Sequence, residues 1–307
     1  MHKCTAEKYT LSFPNSQMHS HCPTSPLSQR NIFDKPVYTM EIVRSAEGFK
    51  QVEGRYTFSY SSVIIRKNDQ LYYGKAPFRG PKLLELNFSD LYEVEPLEAE
   101  DRGPKVKPTW TVLDSPHDYY VKTPDLWAYR GPELEQQILH EVEAYELLKC
   151  HPHPNISFYG GCQSTNGRVS GICMKRYTST LAQKVNPGHF CKANFLTSDV
   201  RASVDSDAAK AWLAGILAGI HHLHSLGIVH NDITPSNIMF DEDGTAVLID
   251  FEGCRKIGES LEIVRRTYGW HDPEVKTALE KNDLDAFADL QTLLIGTSVD
   301  DFVFKHG

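Results

Sequence analysis

An α+β protein is what the sequence predicts, on three observations. Short runs rich in Val, Ile, Thr and Tyr recur before residue 180, as in 56–66 and 169–174, and read as strands. A broad apolar face at helical spacing, Ala211, Leu213, Ile216, Leu217, Ile220 and Leu223, predicts a long helix capped by Asp207 and ended by Gly227. Two brief apolar runs, 238–240 and 246–249, flank Asp241-Glu242-Asp243-Gly244, the pattern of a hairpin with an Asp-Gly turn.

With 307 residues, 40% hydrophobic and 23% charged, the chain has material for one large or two modest domains and a substantial core. The net charge of −8 and the lack of any Lys/Arg cluster argue against a nucleic-acid partner. Seven cysteines without a C-x-x-C pair indicate neither a disulfide framework nor a zinc site. They fit a reducing interior, cytoplasmic or nuclear. No N-terminal apolar stretch resembles a signal peptide and no 18 apolar residues run together, so no membrane partner is expected. The oligomeric state is not encoded in any of these features.

Residues 1–35 are rich in Ser, Thr, Pro, His and Asn and read as a disordered tail, in which His19, His21 and Cys22 are solvated rather than metal-bound. Residues 36–108 form an N-terminal β-rich extension and connector. Strands are expected at 37–44 and 56–66, with 71–73 pairing back on the latter, and the acidic, proline-spaced stretch 83–108 reads as a connector.

A short strand at 118–122 then ends in Lys122. Residues 132–149 carry apolar side chains at Leu134, Ile138, Val142, Tyr145 and Leu148, a helix with Pro132 in its first turn and Glu141 nineteen positions after Lys122. His151-Pro152-His153-Pro154-Asn155-Ile156 is a proline-limited turn, and 186–207 a polar insertion loop. His221, His222 and His224 read as packing and surface residues, because no acidic or cysteine partner shares their spacing.

The run from His224 to Cys254 has the form of a site for a nucleoside triphosphate and its metal. Asp232 and Asn237 project from a loop broken by Pro235, and the hairpin brings Asp250 to a strand end beside Asn237. An amide and a carboxylate so placed suit Mg²⁺, and Asp232 is left to accept a proton.

These residues resemble the protein-kinase core, whose catalytic loop reads H-R-D-x-x-x-x-N and whose metal loop reads D-F-G. Here they read H-N-D-I-T-P-S-N and Asp250-Phe251-Glu252. The strand lysine Lys122 and helix glutamate Glu141, the H-P-N-I turn and Asp272-Pro273-Glu274 for A-P-E extend the likeness over about 121–294. The resemblance implies a two-lobed protein kinase-like fold, with an antiparallel β N-lobe over 109–177 and a mainly helical, shortened C-lobe over 178–307. It further implies that ATP and Mg²⁺ bind, with Lys122 and Glu141 at the phosphates and Asn237 and Asp250 at the metal. Asp232 would act as base, and Thr234 stands where a charge-stabilising lysine is usual. Thr267 takes the place of the threonine that contacts the catalytic loop in Ser/Thr kinases, so protein Ser/Thr hydroxyls are the expected substrates. Asp283 would brace the catalytic loop, and with Asn231 in place of arginine no activating phosphate would be needed.

Departures keep two other readings open. No G-x-G-x-x-G precedes Lys122, and D-F-E replaces D-F-G, as in a pseudokinase binding module. Aspartate, aromatic and acid in series also resemble the aminoglycoside and choline kinases, where Glu252 would approach a second metal.

Overall fold

The computed structural model describes residues 40–52, 54–98 and 101–305. The tail 1–35 with His19, His21 and Cys22, and the first three residues of the strand expected at 37–44, lie outside them. The chain divides into two compact units, one up to Ala99 with Asp125–Arg130, the other Glu100–Pro124 with Gly131–Gly307.

The first unit is an antiparallel meander of β1 (Met40–Val52), β2 (Arg55–Lys67), β3 (Gln70–Ala76) and β4 (Tyr92–Pro96), paired in that order. Asn68 and Asp69 both adopt positive φ, 52° and 63°, which twists the two-residue β2–β3 turn to match its strands. Val63, Ile65, Ala76 and Leu86 form its core. β1 runs on past Arg44 to Val52 because it pairs with β2 throughout, across two register shifts. Its later residues are mostly exposed on both faces, so no alternation announces them. The stretch expected as a connector, 83–108, is part sheet: β4 pairs with β3 at Tyr72 and Tyr73. Residues 125–130 belong here too, with the Arg130 guanidinium 3.4 Å from the Tyr73 ring centre and 3.0 Å from Glu95 Oε1.

The second unit contains the protein-kinase arrangement expected from the resemblance. β5 (Tyr120–Lys122), β6 (Tyr159–Thr165) and β7 (Arg168–Met174) form an antiparallel sheet in the order β5-β7-β6, and α1 (Leu134–Cys150) packs beside β6. Pro132 lies just ahead of α1 instead of in its first turn. The insertion after α2 (Leu181–Val185) is not all loop, since α3 (Lys192–Leu196) and α4 (Asp199–Ala202) fold within it. α5 (Ser206–Ser225) is capped by Asp205 and not by Asp207, whose N–H donates to the Asp205 carboxylate at 2.8 Å. Gly227 takes φ 75° just beyond the helix, the conformation a side chain would resist.

β8 (Ile228–Val229), β9 (Ile238–Phe240), β10 (Ala246–Leu248) and β11 (Arg255–Lys256) pair as β8 with β11 and β9 with β10. α6 (Glu280–Ile295) packs on α5. The insertion is tied to α6 by the buried Lys192, whose ammonium reaches Asp289 and the Gly269 carbonyl inside a ring of Trp270, Phe302 and Phe304. Asp289, fully buried, also accepts the Val303 N–H at 2.5 Å.

Candidate active site

β5 places Lys122 opposite Ile172 on the central strand, and α1 buries Glu141. Lys122 Nζ lies 2.7 Å from Glu141 Oε1 and 2.7 Å from Asp250 Oδ1. Burial by itself would lower the lysine's pKa, but the two carboxylates outweigh it and hold the ammonium charged well above its ordinary range. Burial pushes Glu141 up to about 7 against the pull of Lys122. Asp250, also desolvated, is nonetheless held below its ordinary value by the charge and hydrogen bond of Lys122. The lysine therefore bridges a carboxylate that stays ionised and one that titrates near neutrality.

Asp250 reaches this position by adopting φ 64°, a left-handed conformation that Asp tolerates better than most residues. Behind it, Ile249 N–H donates to the Asn237 carbonyl at 3.0 Å, joining the loop of Asp250 to the loop of Asp232. Phe251 packs between Tyr145 of α1 and the His230 ring, with centroids 5.1 Å apart on each side. Tyr159 of β6 stacks on Tyr145 at 5.2 Å. Four rings thus run from the sheet through α1 to the loop of His230 and Asp232.

His230 Nε2 faces the Ile249 carbonyl at 3.0 Å, so it carries the proton, leaving Nδ1 to accept the Asp232 N–H at 3.3 Å. Asp283, fully buried, takes the N–H groups of His230 and Asn231 at 2.9 and 2.7 Å and the His224 Nε2 at 2.9 Å. His224 is thereby a packing residue with a partner. Asn231, at φ 65°, donates its side-chain amide to the Val229 and Gly253 carbonyls and accepts from Asn282. A neutral amide occupies the position of an arginine and is satisfied by the protein itself.

The Asp232 carboxylate accepts three donors: Asn237 Nδ2 at 2.8 Å, Thr267 N–H at 2.8 Å and Thr267 Oγ1 at 3.1 Å. It opens onto a cleft shared with Asp250, Glu252, Gly253, Arg265, Arg266 and Thr267. Thr234 is not among these residues; its side chain is 1% exposed, and its hydroxyl has no hydrogen-bond partner among the described residues.

Among the described residues no three His, Cys, Asp or Glu side chains come together to hold a metal unaided. The donor set nonetheless fits Mg²⁺. Asn237 commits its NH₂ to Asp232, which orients its oxygen as the ligating atom, and Asp250 engages Lys122 through Oδ1 only. Two hard oxygens, completed by phosphates and water, match the way this ion is usually held.

Sequence reasoning did not find Tyr145 and Phe251 as a ring column, nor Arg265 and Arg266 at the cleft. Tyr145 read as an apolar position of the helix and Phe251 as the aromatic of the D-F-E string, and no motif or periodicity singled out Arg265 and Arg266.

A lysine anchored between a helix glutamate and a loop aspartate, beside a cleft with a second aspartate, is the arrangement of a protein kinase-like site. The model of the protein kinase domain matches residues 122–293, more than half of the chain, and the chain belongs to that family. It is similar to the serine/threonine-protein kinase Tao of Drosophila melanogaster, 26% identical over 169 residues, covering 54% of this chain and 15% of that protein. Likeness to the serine/threonine-protein kinase TAO3 of Mus musculus is 25% over 222 residues, 71% and 23% of the two chains. Sperm motility kinase 3A of Mus musculus is 28% identical over 138 residues, 44% and 24%. The chain spans less than a quarter of the length of each of these relatives. No helix among the described residues is long and apolar enough to cross a membrane.

Proposed function

We propose that this protein transfers the γ-phosphoryl group of ATP, with Mg²⁺, to Ser or Thr hydroxyls of protein substrates. The observation that carries this reading is Lys122 Nζ at 2.7 Å from both Glu141 and Asp250, which links the sheet, α1 and the metal loop in one charged unit.

In this reading Lys122 binds the α- and β-phosphates, and Glu141 keeps its ammonium from swinging away. Asn237 and Asp250 would hold Mg²⁺, which would supply neutralising charge at the phosphates. Asp232 orients the acceptor hydroxyl and takes its proton as the new O–P bond forms and the bond to ADP breaks. Asn237 and Thr267 keep that carboxylate aimed into the cleft. Thr234 supplies no charge to the transfer, which favours a slow enzyme.

A nucleotide-binding module without transfer is the second reading. It is favoured by the three donors that already engage Asp232 and by the lack of a glycine-rich loop before Lys122.

Thermal unfolding with Mg-ATP and transfer of labelled γ-phosphate to a mixed-peptide substrate separate the two. Under the first reading, ligand at 100 times its Kd stabilises by about 2.7 kcal/mol. Asp232→Ala then lowers turnover about 10²–10⁴-fold. Stabilisation without transfer selects the second reading. Neither effect in the wild type rejects both.

A further inference from the structure

The stretch 101–113 lies ahead of the matched kinase domain, yet it is built into the second unit. It meets the sheet at two isolated bridges, Lys105 with Arg168 and Val112 with Cys162, on either side of a turn closed by Trp110 N–H on the Lys107 carbonyl. At the first, Val106 N–H donates to the Gly167 carbonyl at 3.0 Å, and Val169 N–H to the Pro104 carbonyl at 2.9 Å. Farther on, Cys162 N–H donates to the Thr111 carbonyl and Leu113 N–H to the Cys162 carbonyl, at 2.8 and 2.9 Å. The fit is close enough to demand glycine on both sides. A Cβ on Gly103 would stand 1.9 Å from the Val169 oxygen, and one on Gly161 2.8 Å from the Thr111 oxygen.

The same segment grips the helix that carries Glu141. Thr111 N–H donates to Glu146 Oε1 at 2.8 Å, and Lys149 Nζ donates to Thr111 Oγ1 at 2.8 Å. Lys107 pairs with Glu143 and lies over the Trp110 ring, itself buried. Glu146 Oε1 also accepts the Tyr159 hydroxyl at 2.9 Å, so one carboxylate joins strap, helix and sheet. Glu143, Glu146 and Lys149, spread over about two turns of α1, are held this way.

We propose that residues 103–113 are an intramolecular strap that fixes α1 with Glu141 on Lys122, and that Glu146 is its principal positioning residue. A helix free to shift would leave the lysine paired with Asp250 alone; the strap keeps the second carboxylate in place without a phosphate or partner protein. The consequence for nucleotide binding rests on the function proposed above, but the hold on α1 does not.

The test compares Glu146→Ala with Glu146→Gln, whose amide oxygen still accepts from Thr111 and Tyr159. Hydrogen exchange is read at residues 138–145, together with the Kd for Mg-ATP. We expect Glu146→Ala to accelerate exchange there, to weaken Mg-ATP by roughly tenfold, and Glu146→Gln to restore both. In a Glu141→Ala background, Glu146→Ala should have no further effect on Mg-ATP affinity, because the strap acts through that glutamate.

Unchanged exchange in Glu146→Ala overturns the strap. Full additivity with Glu141→Ala overturns the positioning role and leaves a structural tie only. If the wild type binds no Mg-ATP, the functional reading fails while exchange still decides the strap. Should Glu146→Ala not fold, Lys107→Ala, at an exposed ammonium, carries the same comparison.

Discussion

Thr267 donates both its backbone N–H and its hydroxyl to the Asp232 carboxylate, at 2.8 and 3.1 Å, across 35 residues of sequence. Removing the hydroxyl alone isolates its part in aiming the proposed base. Thr267→Val keeps the N–H bond and loses a hydrogen bond to a charged group, worth about 1.5–3 kcal/mol. We expect kcat to fall about tenfold or more with KM for ATP little changed, and Thr267→Ser to retain activity. Steady-state kinetics on the two variants gives the answer; equal rates in Val and wild type would detach Thr267 from the chemistry.

Glu141, with its carboxyl raised to about 7, ties stability and binding to pH in opposite directions. The folded protein holds this proton more tightly than the unfolded chain, whose value is near 4.5. The group's stabilising contribution is therefore complete below about pH 4.5 and is lost as pH rises through about 7. Binding runs the other way, since a protonated Glu141 pairs less well with Lys122, and Mg-ATP affinity should weaken as pH falls below about 7. Glu141→Gln removes the part of each dependence that this carboxyl contributes. Denaturant midpoints and Mg-ATP titrations from acid to alkaline pH on both proteins check this, and identical profiles would refute it.

The Lys192 ammonium and Asp289 carboxylate are 7% and 0% exposed. Losing one partner leaves a buried charge uncompensated, so Asp289→Ala should destabilise by about 3–5 kcal/mol. Replacing both with apolar residues, Lys192→Met with Asp289→Leu, should cost less than that single change. Urea unfolding of the three proteins measures it; a double variant weaker than the single would show that the contacts of Lys192 with the Gly269 carbonyl and the Trp270 ring outweigh the cost of leaving its charge unpaired.

Thr234 offers a test with the opposite expectation. Its buried hydroxyl has no partner among the described residues, a situation that costs about 1–3 kcal/mol. Thr234→Val removes that cost at almost unchanged volume, so Tm should hold or rise. A clear loss of Tm would mean that the hydroxyl is hydrogen-bonded in solution.

Much of the second unit was legible because its signals are local. The Asp-Gly turn with flanking apolar runs specifies the β9–β10 hairpin, and the 3.6-residue periodicity of 211–223 specifies α5. The H-N-D-I-T-P-S-N and D-F-E strings mark the two loops that meet at Asn237 and Ile249. The less legible parts lack such signals. β1 beyond Arg44 is exposed on both faces and shows no alternation, while α3 and α4 are too short for a helical period to develop. Asp205 and Asp207 are equally good caps by type, and only the backbone conformation at 205 chose between them.

Residue order and spacing determined by themselves that a lysine, a helix glutamate and two polar loops exist in this chain, in a kinase-like succession. Only the folded structure decided which atoms meet. Lys122 and Asp250 are 128 positions apart, and the contact between Thr111 and Glu146 uses a backbone N–H that every residue but proline possesses. Neither distance along the chain nor side-chain type encodes such a meeting; it follows from how sheet, helix and loop pack against one another.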